Sequence, residues 1–104
     1  MSPDEVLNHE EIELNLKRLP GWRYTDDALQ VTITCRKAQQ AIDLFVHIAQ
    51  LAQDANHHPD VDWRYNSLKI SLTSHDVGGK LTQRDIALAQ QISQAAESFE
   101  CVLS

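Results

Sequence analysis

Two alternating segments joined by a pair of turn residues constrain this chain more than any other feature. Leu68, Ile70 and Leu72 alternate with Lys69, Ser71 and Thr73; Val61 to Tyr65 precede them, with Asn66-Ser67 between. A period of two places one face in a core and the other in water. So short a link leaves no room for a crossover, so the two strands are expected to form an antiparallel hairpin. A second alternating run lies upstream, where Leu29, Val31, Ile33 and Cys35 interleave with Gln30, Thr32 and Thr34. Trp22 to Tyr24 reads as a short strand entering it through a turn at Asp26-Asp27.

Helical signals separate these strands. Asn8 with Glu11 forms a better capping box than Ser2 with Glu5, because Ile12, Leu16 and Leu19 then fall on one face before Pro20-Gly21 ends the helix. Lys37 to Ala55 carries one apolar stripe of Ala38, Ala41, Ile42, Phe45, Ala49 and Ala52, and a second of Leu44, Ile48 and Leu51. A helix apolar on two sides needs two partners. One is expected to be the sheet and the other a second copy of the chain, with His47 near that contact. The last helix has the clearest start. Thr82 is an N-cap with Asp85 three residues on, and Leu81 and Ile86 sit at the staple positions. The order α-β-β-α-β-β-α predicts an α+β fold of two layers, a four-stranded antiparallel sheet with three helices on one face, as one domain over residues 1–104.

The formal net charge of −6 disfavours nucleic acid and anionic membrane as partners. No apolar run is long enough for a membrane helix, and the N-terminal residues have no secretory pattern, so a cytoplasmic location is expected. Cys35 and Cys101 match no ligand spacing and are expected to be reduced, partly buried thiols. Trp22, Trp63 and Tyr65 are expected in the core or a pocket wall, and Gln30, Thr32, Arg64 and Lys69 on a solvated or partner-facing sheet surface. Gly78-Gly79 lacks the pattern of a phosphate loop.

Chemistry concentrates in Asn56-His57-His58-Pro59 and Ser74-His75-Asp76. The predicted hairpin between them would return His75 toward His57 and His58. Imidazoles give and take protons near neutrality, so three of them suit general acid–base work. Unrelated surface histidines and a metal site are the competing readings. Adjacent histidines seldom both reach one ion and the helical His-x-x-x-His spacing is absent, so no metal and no cofactor are expected. Pro59 fixes its own φ and biases His58 toward extended backbone. Asp85 satisfies the helix start and is also compatible with orienting a site histidine.

Asn56-His57-His58-Pro59-Asp60, Asp62-Trp63-Arg64-Tyr65-Asn66, Thr73-Ser74-His75-Asp76 and Gln83-Arg84-Asp85, together with Leu19-Pro20-Gly21-Trp22, resemble the pterin-4a-carbinolamine dehydratases over nearly the whole chain. The resemblance implies a four-stranded antiparallel sheet with three helices. It implies a hydro-lyase that dehydrates 4a-hydroxytetrahydropterin to quinonoid dihydropterin, in recycling of the pterin used by aromatic amino acid hydroxylases. By the same likeness His57, His58 and His75 are the catalytic histidines. Asn56, Thr73, Ser74 and Asp76 contact substrate, and Asp85, with Pro59, supports the site. A homodimer or homotetramer is expected, with an aromatic amino acid hydroxylase as a protein partner. Relatives that act as a dimerisation cofactor or assembly chaperone supply the alternative function. One position departs: four residues before His57 the family has a charged residue or histidine, and here stands Gln53.

Overall fold

The computed structural model describes residues 5–74 and 77–104. Its elements run α1 (His9–Leu16), β1 (Arg23–Thr25), β2 (Ala28–Thr34), α2 (Ala38–Ala55), β3 (Asp60–Arg64), β4 (Ser67–Leu72), α3 (Gln83–Ser98) and β5 (Val102–Leu103). The sheet is antiparallel in the order β1-β2-β4-β3, with β5 pairing β2. The α+β class is as expected. The sheet has a fifth, two-residue strand that the sequence periodicity did not reveal.

Alternation sets the layers. Leu29, Val31 and Ile33 pair across β4 with Leu72, Ile70 and Leu68, and all six are fully or almost fully buried. Each fully buried Leu or Ile contributes roughly 1.5–3 kcal/mol over an exposed one. Against this face pack Leu44 and Ile48 of α2, Ile86, Leu88 and Ile92 of α3, and Ile12 of α1. Trp22 is buried in the same core, and its indole donates to Ser93 Oγ at 2.7 Å.

Several expectations need correction. In α2 the buried stripe is Ala41, Leu44, Ile48 and Ala52, while Ile42 and Ala49 are exposed, so the two stripes predicted from sequence are divided differently. His47 is exposed on α2, with its ring centroid 5.8 Å from that of Phe99. The hairpin turns at Tyr65-Asn66, because Arg64 pairs with Ser67. Tyr65 takes a φ of 53°, which side chains disfavour. Asn66 fixes that register by donating from Nδ2 to the Cys35 carbonyl at 2.6 Å and accepting from the Cys35 N–H at 2.8 Å. Trp63 and Tyr65 are 48% and 74% exposed rather than core: Trp63 lies near the end of the edge strand β3, and Tyr65 in the turn that follows it. Helix α1 stops at Leu16, before the Pro20-Gly21 break.

The cysteines are the largest correction: Cys35 and Cys101 form a disulfide. The cause is β5. It pairs Ile33 with Leu103 and Thr34 with Val102, which sets the two Cα atoms 4.5 Å apart, close enough to bridge. Gly21 admits this strand, since a Cβ there would meet the Leu103 backbone at 3.0 Å.

Candidate active site

The ends of two helices build the site. Helix α2 stops at Asn56, whose φ of 51° is left-handed. The Asn56 N–H bonds the Gln53 carbonyl and the His57 N–H the Ala52 carbonyl, both at 3.1 Å. This pair of bonds is a Schellman stop, and Asn tolerates the left-handed residue that it needs. Asn56 is exposed and its backbone ends the helix. The reversal sends His57 inward and Pro59 on toward β3.

Helix α3 begins opposite. Thr82 caps it, accepting the Arg84 N–H at 3.2 Å, and Asp85 Oδ2 accepts the Thr82 N–H at 2.9 Å. His57 Nε2 meets Asp85 Oδ1 at 2.6 Å, and Ser74 Oγ donates to Asp85 Oδ2 at 2.7 Å. Because the Ser74 proton goes to Asp85, the Thr82 hydroxyl donates across the 2.9 Å contact to Ser74 Oγ. Asp85 therefore accepts from an imidazole, a hydroxyl and a backbone amide. His57, Ser74, Thr82 and Asp85 are all buried, and this is the buried polar cluster among the described residues. The first turn of a helix also favours the carboxylate.

His58 has a different setting. It is exposed, and its Nε2 lies 3.0 Å from Gln53 Oε1 on the last turn of α2. The departure at position 53 is thus a direct neighbour of a site histidine. Asp54 does not take its place, since it accepts from Gln50 Nε2 at 2.8 Å. His58, Gln53 and half-buried Pro59 line a cavity of about 230 Å³ whose other walls among the described residues are apolar.

Thr73 belongs to the rim. Its hydroxyl donates to the Asp27 carbonyl at 3.2 Å, and Ser74 and Lys80 form a bridge, with the Ser74 N–H on the Lys80 carbonyl at 2.9 Å. Asp27 also accepts from the Tyr24 hydroxyl at 3.0 Å and Lys80 Nζ at 3.4 Å. The Tyr24 hydrogen bond and then Lys80 hold the Asp27 carboxyl below its ordinary range. Burial and then Asp27 push the Tyr24 phenol up. Sequence reading missed this cluster, although Asp26-Asp27 was legible as a turn. His75 and Asp76, expected as a catalytic and a substrate-contacting residue, lie outside the described residues. Of the predicted site residues, the structure brings His57, Ser74 and Asp85 into one network. It sets His58 beside Gln53 and leaves Asn56 at the surface. A larger hollow of about 610 Å³ lies elsewhere, against Arg18, Ser93, Glu97 and Leu103. It lacks a histidine and a comparable buried network, so the chemistry favours the histidine site.

Fold and site together define a two-layer α+β protein whose helix ends carry a buried histidine–carboxylate pair. Residues 5–95 match the family described as pterin 4 alpha carbinolamine dehydratase, and the chain belongs to that family. A Nostoc punctiforme protein with the provisional name of pterin-4-alpha-carbinolamine dehydratase is 42% identical over 90 residues, covering 86% of this chain and 96% of its own. A Thermomicrobium roseum protein with the same provisional name is 41% identical over 81 residues, covering 78% and 86%. A crystal structure from Brucella melitensis, titled transcriptional coactivator/pterin dehydratase, superposes with a TM-score of 0.85 at 24% identity, covering 88% of this chain and 99% of that one. That likeness bears on the fold.

Proposed function

We propose that this chain dehydrates 4a-hydroxytetrahydropterin to quinonoid dihydropterin in tetrahydrobiopterin recycling. Family membership supports a pterin dehydratase, and the buried His57–Asp85 pair, 2.6 Å apart, carries the reading to this site. The reaction breaks the C4a–O bond. The hydroxyl leaves as water after gaining a proton, N5 loses its proton, and the N5=C4a double bond forms. Only an acid and a base are needed, and His57, His58 and His75 are proposed to supply them. Asn56, Thr73, Ser74 and Asp76 are proposed to contact the substrate. Asp85 supports His57, and Pro59 restricts His58.

The test is dehydration of the carbinolamine by His58→Ala and His75→Ala. Each is expected to lose at least about 100-fold in rate while remaining folded. Wild-type rates in both variants would refute the mechanism.

A homodimer or homotetramer belongs to the same proposal, supported by Ile42 and Val46, which are 37% and 66% exposed on α2. Monomeric elution at micromolar concentration would oppose it. The same face gives the second reading, a protein-binding role such as dimerisation cofactor or assembly chaperone. An aromatic amino acid hydroxylase is the proposed partner under the enzymatic reading, and co-elution with one tests it. A cytoplasmic location is also proposed. There the Cys35–Cys101 pair would be held as thiols, and recovery of the bonded form from thiol-trapped cells would count against that location.

A further inference from the structure

We infer that Gln53 is a positioning residue that holds His58 with its proton on Nε2 and leaves Nδ1 as the proton acceptor. The inference rests on the dehydratase reading and adds a direction to one of its histidines. An amide oxygen only accepts hydrogen bonds, so the 3.0 Å contact between Gln53 Oε1 and His58 Nε2 requires a proton on that nitrogen. In the neutral ring the remaining lone pair is then on Nδ1. The two residues share one cavity, and its other walls among the described residues, Phe45, Ile48, Ala49, Ala52, Pro59 and Val61, carry no titratable group. The amide is thus the polar side chain that faces His58 from α2, and it is neutral. Its backbone is fixed independently, because the Gln53 carbonyl accepts the Asn56 N–H of the helix stop.

His57 differs in its partner. Its Nε2 lies 2.6 Å from the buried Asp85 carboxyl group, whereas the neutral amide at His58 selects which ring nitrogen holds hydrogen. Two neighbouring imidazoles therefore enter the reaction with unlike partners. His58 is suited to receive a proton through Nδ1.

The test has two arms. In the first, ¹⁵N-histidine NMR of the wild-type chain reads the neutral tautomer of His58. The Nε2–H form with a protected Nε2 proton is expected; the Nδ1–H form would overturn the assignment. This arm needs no turnover, so an inactive protein would sink the dehydratase reading and leave this arm standing. In the second, Gln53→Glu keeps an acceptor at Nε2 and adds a negative charge. It is expected to move the acidic limb of the pH–rate profile, and the His58 ring titration read by NMR, upward by about half a unit. Gln53→Met removes the acceptor, lowers kcat about tenfold and leaves KM within about twofold. A Gln53→Glu profile that superimposes on wild type, or a Gln53→Met enzyme with unchanged kcat, would reject the positioning role.

Discussion

Helices α2 and α3 end by the same backbone device and deliver opposite kinds of bond. Asn56 and Glu100 are both left-handed, with φ of 51° and 58°. The next residue returns its N–H to the fifth residue before it in each case, His57 to Ala52 and Cys101 to Ala96. His57 then bonds the buried Asp85, while Cys101 bonds Cys35 covalently. The first bond buries polar groups that need several mutually satisfied partners to offset their desolvation. The second joins small, weakly polar atoms and closes a sequence separation of 66 residues. An expensive polar cluster beside an exposed histidine is the arrangement expected of a working site. The covalent clip, where it forms, needs no such cluster around it.

The largest test separates those roles. Reducing Cys35–Cys101 is expected to lower stability by about 4 kcal/mol in the loop-entropy account, read by urea unfolding with and without reductant. Activity per folded molecule should stay as it was. An unchanged midpoint, or a site that fails while the protein is still folded, would erase the contrast between the two helix ends. Next comes Asp85→Ala, which strands the His57, Ser74 and Thr82 donors and removes half of a capping box. A loss on the order of 3 kcal/mol is expected in the same unfolding assay, together with most dehydratase activity. A loss well under 1 kcal/mol would mean that water replaces the carboxylate and the network is not buried in solution.

The two ends also differ in how far the sequence revealed them. Thr82 and Asp85 were legible as a capping box because that signal is local, and Asp85 was already compatible with orienting a histidine. The hairpin was legible from alternation, but its turn was placed one residue late. Tyr65 is a poor left-handed residue, and the long-range bonds of Asn66 to Cys35 help to hold the turn at that position. The disulfide was not legible, because it depends on β5, two residues long and too short to show a period. Gln53 stood out as a departure from the family pattern, but its contact with His58 required knowing that the chain reverses at Asn56.

A smaller effect distinguishes the two stops themselves. Glutamate pays for its left-handed backbone, so Glu100→Gly is expected to raise stability by roughly 1 kcal/mol. Asn56→Gly should gain only a few tenths, since Asn tolerates that region. Equal gains at the two positions would show that the helix ends are not distinguished by residue type.

The smallest effect concerns another left-handed turn, where Asp26 and Asp27 have φ of 55° and 60° and the tether is exposed. Asp27 accepts from Tyr24 and Lys80, and its carboxyl is held below the ordinary range by the Tyr24 hydrogen bond first and Lys80 next. A carboxyl lowered on folding stabilises the folded chain above its unfolded value near pH 3.9. That contribution is lost as pH falls through the lower folded value. Asp27→Asn keeps a side-chain oxygen for Tyr24 and a residue suited to the turn, but removes the charge. Wild type should therefore exceed the variant in stability above about pH 5, and the gap should close as the solution is taken below pH 3. High salt should shrink the gap, because both side chains of the ion pair are half-exposed. A gap of the same size in acid would show that the Asp27 charge, and with it the Lys80 ion pair, does not stabilise the fold.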